Sequence, residues 1–468
     1  MIGAARQGTA LARYLARHGA RVVLSDRRPA HELQPAREAL EDEQVEWVFG
    51  EHPLSLLEGI DLLCLSGGVP LDIPLVMEAR RRGIPLSNDS QIFLEAAPCR
   101  VIGITGSAGK TTVTTLAGRM ASAAVEGSRT PCLEHSDMPT SRRVWVGGNI
   151  GSPLISAVDE MQGNDLAVME LSSFQLEIMT RSPQVAAVLN VTPNHFDRHG
   201  SMEAYAAAKA RILDFQSPED VAVLGRDDPG AWGLADRVQG RLVSFGIAGL
   251  ATGQKGTCLG ADGKKILLRC NKKGEGQDIE LMSRQDIALR GEHNLLNVLA
   301  ACAIAAAAGL PAQACRAGAA RFAGVPHRLE FVRSWGGADW YNDSIATAPE
   351  RAMAAIRSFD EPLVLLAGGR DKDLPWSDFA DLVSRRVDHL ILFGEAAGVI
   401  YEAIQPLSLA AGLEIVRCSG LGAAVKAAAE VVSPSDVVLL APGGTSFDEF
   451  RDFEERGEAF RKWVMELE

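Results

Sequence analysis

The chain has 468 residues, more than one hydrophobic core usually serves, so roughly two to four domains are expected. Its 47 Lys and Arg against 60 Asp and Glu leave a net charge of −13, which argues against nucleic acid or an anionic membrane as the main partner, so anionic ligands must meet local basic spots. The eight cysteines form no Cys-x-x-Cys pair, and no run reaches the about 18 to 20 uncharged apolar residues of a membrane span, so a cytoplasmic protein with neither zinc site nor disulfide framework is expected.

The first block, residues 1–98, reads as parallel α/β. Residues 21–26 form a strand ending in Asp26, residues 61–66 a strand ending in Ser66, and the arginine-rich residues 75–83 a helix. The chain opens on Met1-Ile2-Gly3, which reads as the end of a first strand, followed by a turn through Arg6 to Gly8 and a helix over 9–18. A dinucleotide fingerprint would want glycine at Ala5 and a full strand before Gly3. Gly3, Gly8 and Asp26 therefore read either as a degenerate nucleotide-sized site or as a structural turn. The short opening suggests a start codon set too late or a natural truncation, with a sheet left incomplete at its edge or centre.

The second block, 99–325, begins with Val-Ile-Gly-Ile-Thr-Gly-Ser-Ala-Gly-Lys-Thr-Thr at 101–112. A β-rich segment runs into glycines at Gly106 and Gly109 and then into a helix opening. That is a phosphate-cradling loop: backbone N–H groups turn inward on an anion, Lys110 supplies charge, and the Thr111 hydroxyl can ligate Mg²⁺. Three further strand ends follow, at Asn149, Glu170 and Asn190. Ligands in open α/β sheets gather at the carboxyl ends of strands, so Lys110, Thr111, Asn149, Glu170, Ser172, Asn190 and His195 are expected to share one crevice. Glu170 reads as a Mg²⁺ partner or an exposed strand-end acid, and His195 with Asp197 and His199 as a metal ligand set or a polar loop. Ser201 caps a helix over 202–215 in which Lys209 is either solvated or close to the metal. Residues 221–290 are short strands with glycine turns, a β-rich edge. Asn294 and Asn297 share a helical face, to recognise an adenine edge or simply to pack.

The third block, 326–468, is a further α/β array whose strand ends carry Asn342-Asp343-Ser344, Gly368-Gly369-Arg370-Asp371-Lys372 and Thr445-Ser446-Phe447 before a charged helix over 449–467. Lys372, Arg370, Thr445 and Ser446 are candidates for holding a small anion.

Taken together, these junctions resemble the Mur ligases of the peptidoglycan pathway, and among them the glutamate-adding branch. The resemblance covers nearly the whole chain. It rests on 103–112, Gly148-Asn-Ile-Gly151, Glu170-Leu-Ser-Ser-Phe-Gln-Leu-Glu177, the 189–199 segment with Ala208-Lys209, Gly291-Glu-His-Asn294 with Asn297, Pro326-His-Arg328, Asn342-Asp-Ser344, and Ser446-Phe-Asp-Glu-Phe450 leading to Asp452-Phe-Glu-Glu-Arg-Gly457. It implies three α/β domains: a Rossmann-like UDP-binding domain, a central ATPase domain with a mostly parallel sheet and a small β-rich part, and a Rossmann-like amino-acid-binding domain. It further implies ATP-driven ligation of glutamate to UDP-N-acetylmuramoyl-L-alanine by a monomer, through an acyl phosphate. Gly106, Ser107, Ala108, Gly109, Lys110, Thr111, Thr112, Asn294, Asn297, Arg328 and Asp343 would bind ATP. Thr111 and Glu170 would hold one Mg²⁺, and His195 with a carbamylated Lys209 a second. Gly3, Arg6, Asp26, Arg27 and Ser66 would take the UDP end of the acceptor, Asn149 and Ser172 would face that substrate, and Lys372, Ser446, Phe447 and Phe453 would hold glutamate.

Three residues depart from the family pattern. Its loop usually reads Gly-Thr-Asn-Gly-Lys-Thr, so Ser107-Ala108 removes an amide side chain; many glutamate-adding members carry lysine after Asp-Ser, where Ile345 stands. The rival readings are another amide ligase of the superfamily such as a folate polyglutamylating enzyme, a non-catalytic nucleotide-binding protein, and a nicotinamide oxidoreductase, the last opposed by the broken glycine fingerprint.

Overall fold

The computed structural model describes residues 1–126, 143–192, 196–272, 275–289, 291–320, 322, 324–372 and 374–468. The chain folds as two compact units, Met1–Phe322 and Ala323–Glu468.

In the first unit, β1 (Val22–Asp26) pairs in parallel with β2 (Val45–Phe49), and β3 (Leu63–Cys64) with β4 (Leu86–Ser87). The opening residues are the link between the two pairs. Ile2 N–H donates to Cys64 O at 2.8 Å, Gly3 N–H to Ser25 O at 2.8 Å and Ser66 N–H to Ile2 O at 2.9 Å, so Met1-Ile2-Gly3 fills the centre between β1 and β3. The backbone groups of Ile2 and Gly3 are thus paired with both neighbours. The Arg6–Arg17 helix follows at once. Its Leu11, with Phe93 of the Asp89–Ala96 helix, packs into the same apolar cluster as Val101 and Leu171.

The large sheet of this unit runs, among the described residues, β13-β12-β11-β10-β9-β8-β5-β7-β6. Its members are β5 (Arg100–Thr105), β6 (Val144–Gly148), β7 (Leu166–Glu170), β8 (Val185–Val188), β9 (Val221–Gly225), β10 (Arg241–Phe245), β11 (Gly256–Leu259), β12 (Lys265–Lys272) and β13 (Glu275–Ser283). β7, β8 and β9 are buried along their whole length, the near-continuous apolar runs of a parallel sheet covered on both faces. The short strands expected over 221–290 are β9 to β13, which form one side of the sheet; β9, β10 and β11 pair in parallel, and β11–β12 and β12–β13 are antiparallel.

The second unit is a six-stranded sheet of order β14-β15-β19-β16-β17-β18, formed by β14 (Glu330–Trp335), β15 (Ala338–Asn342), β16 (Leu363–Gly368), β17 (His389–Phe393), β18 (Glu414–Arg417) and β19 (Val437–Gly443). Only β14 is antiparallel to its neighbour. The Phe453–Met465 helix, capped by the Asp452 carboxylate accepting from Glu455 N–H, packs Phe460 and Val464 into a core with Trp340 and Leu366.

Candidate functional site

β5 lies inside the sheet between β7 and β8, so the loop that follows it opens where three strand ends meet. Gly109 has φ +81°, and a Cβ there would strike the Asn297 side chain; at Gly106 a Cβ would lie 2.9 Å from that of Leu189. The loop therefore needs both glycines. The Lys110–Glu126 helix starts immediately after, aligning its N-terminal amides with the loop.

Ser107 and Ala108 acquire a physical account. Asn190, at the end of β8, accepts from Ala108 N–H at 2.8 Å and donates its own amide to Ala108 O at 3.2 Å. A side chain from the segment after β8 thus grips the loop at Ala108. The Ser107 hydroxyl donates to Thr192 O and accepts from Thr192 N–H and from Tyr205 O–H, all at 3.0 Å, which ties the loop to the Met202–Asp214 helix.

Thr111 Oγ1 donates to Glu170 Oε2 at 2.9 Å, and Asn149 Nδ2 donates to Glu170 Oε1 at 2.9 Å. Glu170 is 2% exposed, so the reading of an exposed strand-end acid is excluded. Asn149, expected to face the acceptor, is drawn onto this carboxylate. A buried carboxylate beside a hydroxyl is a pair of hard oxygen donors that suits Mg²⁺.

Lys209 is 1% exposed, so the solvated reading is excluded too. Its Nζ donates to Gly106 O at 2.9 Å and lies 4.5 Å from the centroid of the Tyr205 ring. Burial, with Lys110 nearby, pushes its pKa down to about 6. His195 lies outside the described residues. His199 receives or donates a hydrogen bond at Ser173 Oγ, 3.0 Å away, and stacks on Phe174. Arg198 sits over the same ring and reaches Gly68 O and Val69 O, so the segment after His195 is tied to the loop that follows Ser66.

A cavity of about 240 Å³ adjoins the loop, lined by Ala108, Gly109, Asn190, Phe245, His293 and Asn297 among others. Asn297 Nδ2 donates to Asn294 Oδ1 at 3.1 Å, so the two asparagines act as one unit with Asn297 at the cavity wall. Sequence reasoning does not reach Phe245 and His293. The glycine ending β9, Gly225, which also lines the cavity, is the one local hint that something approaches there.

At the amino-terminal end Gly3 has φ +91° and packs against Ser66, which is 7% exposed. Asp26 accepts from Ala4 N–H at 2.7 Å and from the Arg28 backbone and guanidinium at 2.9 to 3.0 Å. Burial works to raise its pKa, but Arg28 and the Ala4 amide hold it well below the usual carboxylate range. Arg28 engages Asp26, and Arg6 and Arg27 are exposed. Ser172 caps the short Ser173–Leu176 helix: its hydroxyl accepts from Gln175 N–H, and Gln175 Oε1 accepts in return.

In the second unit Arg328 lies between two residues of positive φ, His327 at +62° and Leu329 at +43°. Asp343 Oδ1 accepts from Leu329 N–H at 3.0 Å, and burial pushes its carboxyl up to about 6. Lys372 N–H donates to Asp371 Oδ1, which also accepts from Trp376 Nε1. Ser446 is buried, Phe447 is 60% exposed beside it, and Phe453 opens the final helix.

What converges on β5 is the loop and strand-end arrangement of a phosphate-loop α/β protein. The chain belongs to the Mur ligase family. Residues 1–88 match the family's MurD-like N-terminal domain, 104–305 its middle domain and 327–444 its glutamate ligase domain, which makes a three-domain architecture. Among its relatives are UDP-N-acetylmuramoylalanine--D-glutamate ligases of Symbiobacterium thermophilum, 40% identical over 100% of this chain and 97% of that one, and of Pelotomaculum thermopropionicum, 39% identical over 100% and 97%. A solved UDP-N-acetylmuramate-alanine ligase from Thermotoga maritima shares the fold, with TM-score 0.56 and 18% identity over 99% of this chain and 98% of that one.

Proposed function

We propose that the protein is an ATP-dependent ligase joining D-glutamate to UDP-N-acetylmuramoyl-L-alanine. The observation that carries this is the Thr111–Glu170–Asn149 cluster with Lys209 buried on Gly106 O, beside a phosphate-cradling loop. A protein that only bound nucleotide would not need a buried carboxylate and a buried lysine at the loop. The names of relatives at 36 to 40% identity supply the substrate pair.

In this reading the alanine carboxylate attacks the γ-phosphorus of ATP, the bond to the β-phosphate oxygen breaks, and an acyl phosphate and ADP result. The glutamate amine then attacks the acyl carbon, loses a proton, and phosphate leaves as the amide forms. The loop amides of 106–111 and Lys110 stabilise the charge that develops on the transferring phosphoryl group. Asn294 and Asn297 serve the base in the 240 Å³ cavity. Mg²⁺ when bound neutralises phosphate charge, with Thr111 and Glu170 holding one ion and His195 and Lys209 assigned to a second. A lysine beside a cation suits that role once CO₂ has added to its amine, because the carbamate is an anion. Burial beside Lys110 favours the neutral amine that this addition requires. Arg328 and Asp343 are assigned to ATP, Gly3, Arg6, Asp26, Arg27, Ser66 and Ser172 to the acceptor, and Lys372, Ser446, Phe447 and Phe453 to glutamate, on the family resemblance. The need for ATP places the reaction in the cytoplasm.

The test is phosphate release by purified protein with Mg²⁺. Release is expected only when ATP, UDP-N-acetylmuramoyl-L-alanine and D-glutamate are all present. Release that ignores the acceptor would sink the ligase reading, and a preference for L-glutamate would redirect the substrate.

A further inference from the structure

Arg456 is fully buried in the second unit, and nothing in the scheme above uses it. Its Nε donates to Ser344 Oγ at 3.0 Å, one terminal nitrogen to Gly444 O and Thr445 O at 3.2 and 3.0 Å, and the other to Ser344 O and Gly444 O at 2.8 and 3.2 Å. Ser344 Oγ in turn donates to Phe453 O at 2.8 Å. The guanidinium therefore grips the loop after β15, the loop after β19 and, through Ser344, the first turn of the Phe453–Met465 helix. A third loop is drawn in: Arg370 N–H donates to Thr445 O and Thr445 N–H to Arg370 O, each at 2.8 Å, which fixes the segment that leads to Lys372. Gly369 in that segment has φ +92° and no room for a side chain, since a Cβ would meet the Arg456 guanidinium at 2.8 Å.

A buried cation is a poor device for stability alone, because apolar residues of like volume often serve as well or better. What an apolar side chain cannot do here is satisfy the acceptors on Ser344, Gly444 and Thr445, which lie at the carboxyl ends of parallel strands, where α/β sheets bind ligands. Burial lowers the guanidinium pKa to about 10, with Asp448 and Glu449 opposing, so it stays a cation at neutral pH.

We propose that Arg456 is a positioning residue for the amino-acid substrate, holding three loops in the arrangement that presents Lys372, Ser446 and Phe453 to glutamate. The inference rests on the assignment of those residues to glutamate made above. It acts through backbone carbonyls and touches no reacting atom.

Steady-state kinetics of full-length Arg456→Lys, with ATP, UDP-N-acetylmuramoyl-L-alanine and D-glutamate varied in turn, test it. Lysine keeps the charge but replaces the planar fork by one nitrogen, which cannot span three segments. KM for D-glutamate is expected to rise about tenfold or more, with the other two KM values within about twofold. A fall in maximal rate alone, matching a loss of folded protein by circular dichroism, overturns the inference, because an unfolded fraction removes enzyme without changing the KM of the rest. A common rise in all three KM values overturns it as well. Should Arg456→Lys not fold, Ser344→Ala, which severs the link to Phe453, is read by the same outcomes. Lys372→Ala is measured alongside. An unchanged glutamate KM there defeats the glutamate-site assignment and the inference with it; a raised one there, with no change in Arg456→Lys, defeats the positioning role only.

Discussion

The ammonium groups of Lys110 and Lys209 both donate to the carbonyl oxygen of Gly106, each at 2.9 Å. Burial, and after it the repulsion of the second cation on the same acceptor, pushes the pKa of Lys209 down, while Lys110 also reaches Ser107 O. Carbamylation of Lys209 would turn that repulsion into attraction. Lys209→Ala is therefore expected to lower ligase activity by on the order of 10² to 10³, as loss of one charge-stabilising group does. Adding short carboxylates such as formate or acetate should restore part of it. Full activity in the variant without additive would refute the carbamate.

Asn190, just after β8, holds the loop through both Ala108 N–H and Ala108 O. Asn190→Ala leaves Ala108 N–H and O without their partners and frees the loop on the side away from Lys110. Loss of two hydrogen bonds at about 1 kcal/mol each predicts a rise in ATP dissociation constant of about tenfold or more. Titration calorimetry with a non-hydrolysable ATP analogue measures it; unchanged affinity would mean that the loop holds its shape without the clamp.

The parts of this site that are legible in the sequence are those whose chemistry is local. Glycines and lysine at 106–110, Glu170 closing an apolar strand and Asn294 with Asn297 at helical spacing each declare themselves within a dozen residues, and the structure brings Lys110, Thr111, Glu170 and Asn149 together. Ser107 is bound by Tyr205, 98 positions away, and Lys209 is buried by packing that no periodicity announces, so one looked unexplained and the other ambiguous. Arg456 sits in a helix that reads as charged and amphipathic; only the three loop ends around it show why that position is buried. The opening residues are too few for a β pattern to show in the sequence, and their pairing with both neighbours comes only from the fold.

Gly109 tests the link between the loop and the asparagine pair. Its φ of +81° and its contact with the Asn297 side chain leave no space for a methyl group. Gly109→Ala must both strain the backbone, at about 1 to 2 kcal/mol, and displace Asn297 from the cavity wall. ATP binding is expected to weaken by at least about thirtyfold. UDP-N-acetylmuramoyl-L-alanine affinity should hold, since the candidate acceptor residues lie elsewhere in the chain. Equal losses for both ligands in parallel titrations would point to global damage instead.

Asp89 opens the helix over Asp89–Ala96 fully inside the first unit, 3% exposed, and its Oδ1 has no hydrogen-bond partner among the described residues. Burial pushes its carboxyl up to about 6 against hydrogen bonds from Gln175 and Ser90 that favour the anion. The folded state then binds more protons than the unfolded chain between about pH 4 and 6, so this group's contribution to stability falls as pH rises through that window, by up to about 3 kcal/mol in all. Above pH 6 the cost of the buried charge is fully present. Asp89→Asn removes it while keeping the size and an acceptor oxygen. The variant is expected to melt higher than the parent at pH 7 to 8 and to lose that advantage as the pH is lowered through 6 toward 4. Urea unfolding of both proteins across that range checks the sign. A difference in stability that stays constant from pH 4 to 8 would show that Asp89 is not titrating inside the fold and that its unpartnered oxygen meets water instead.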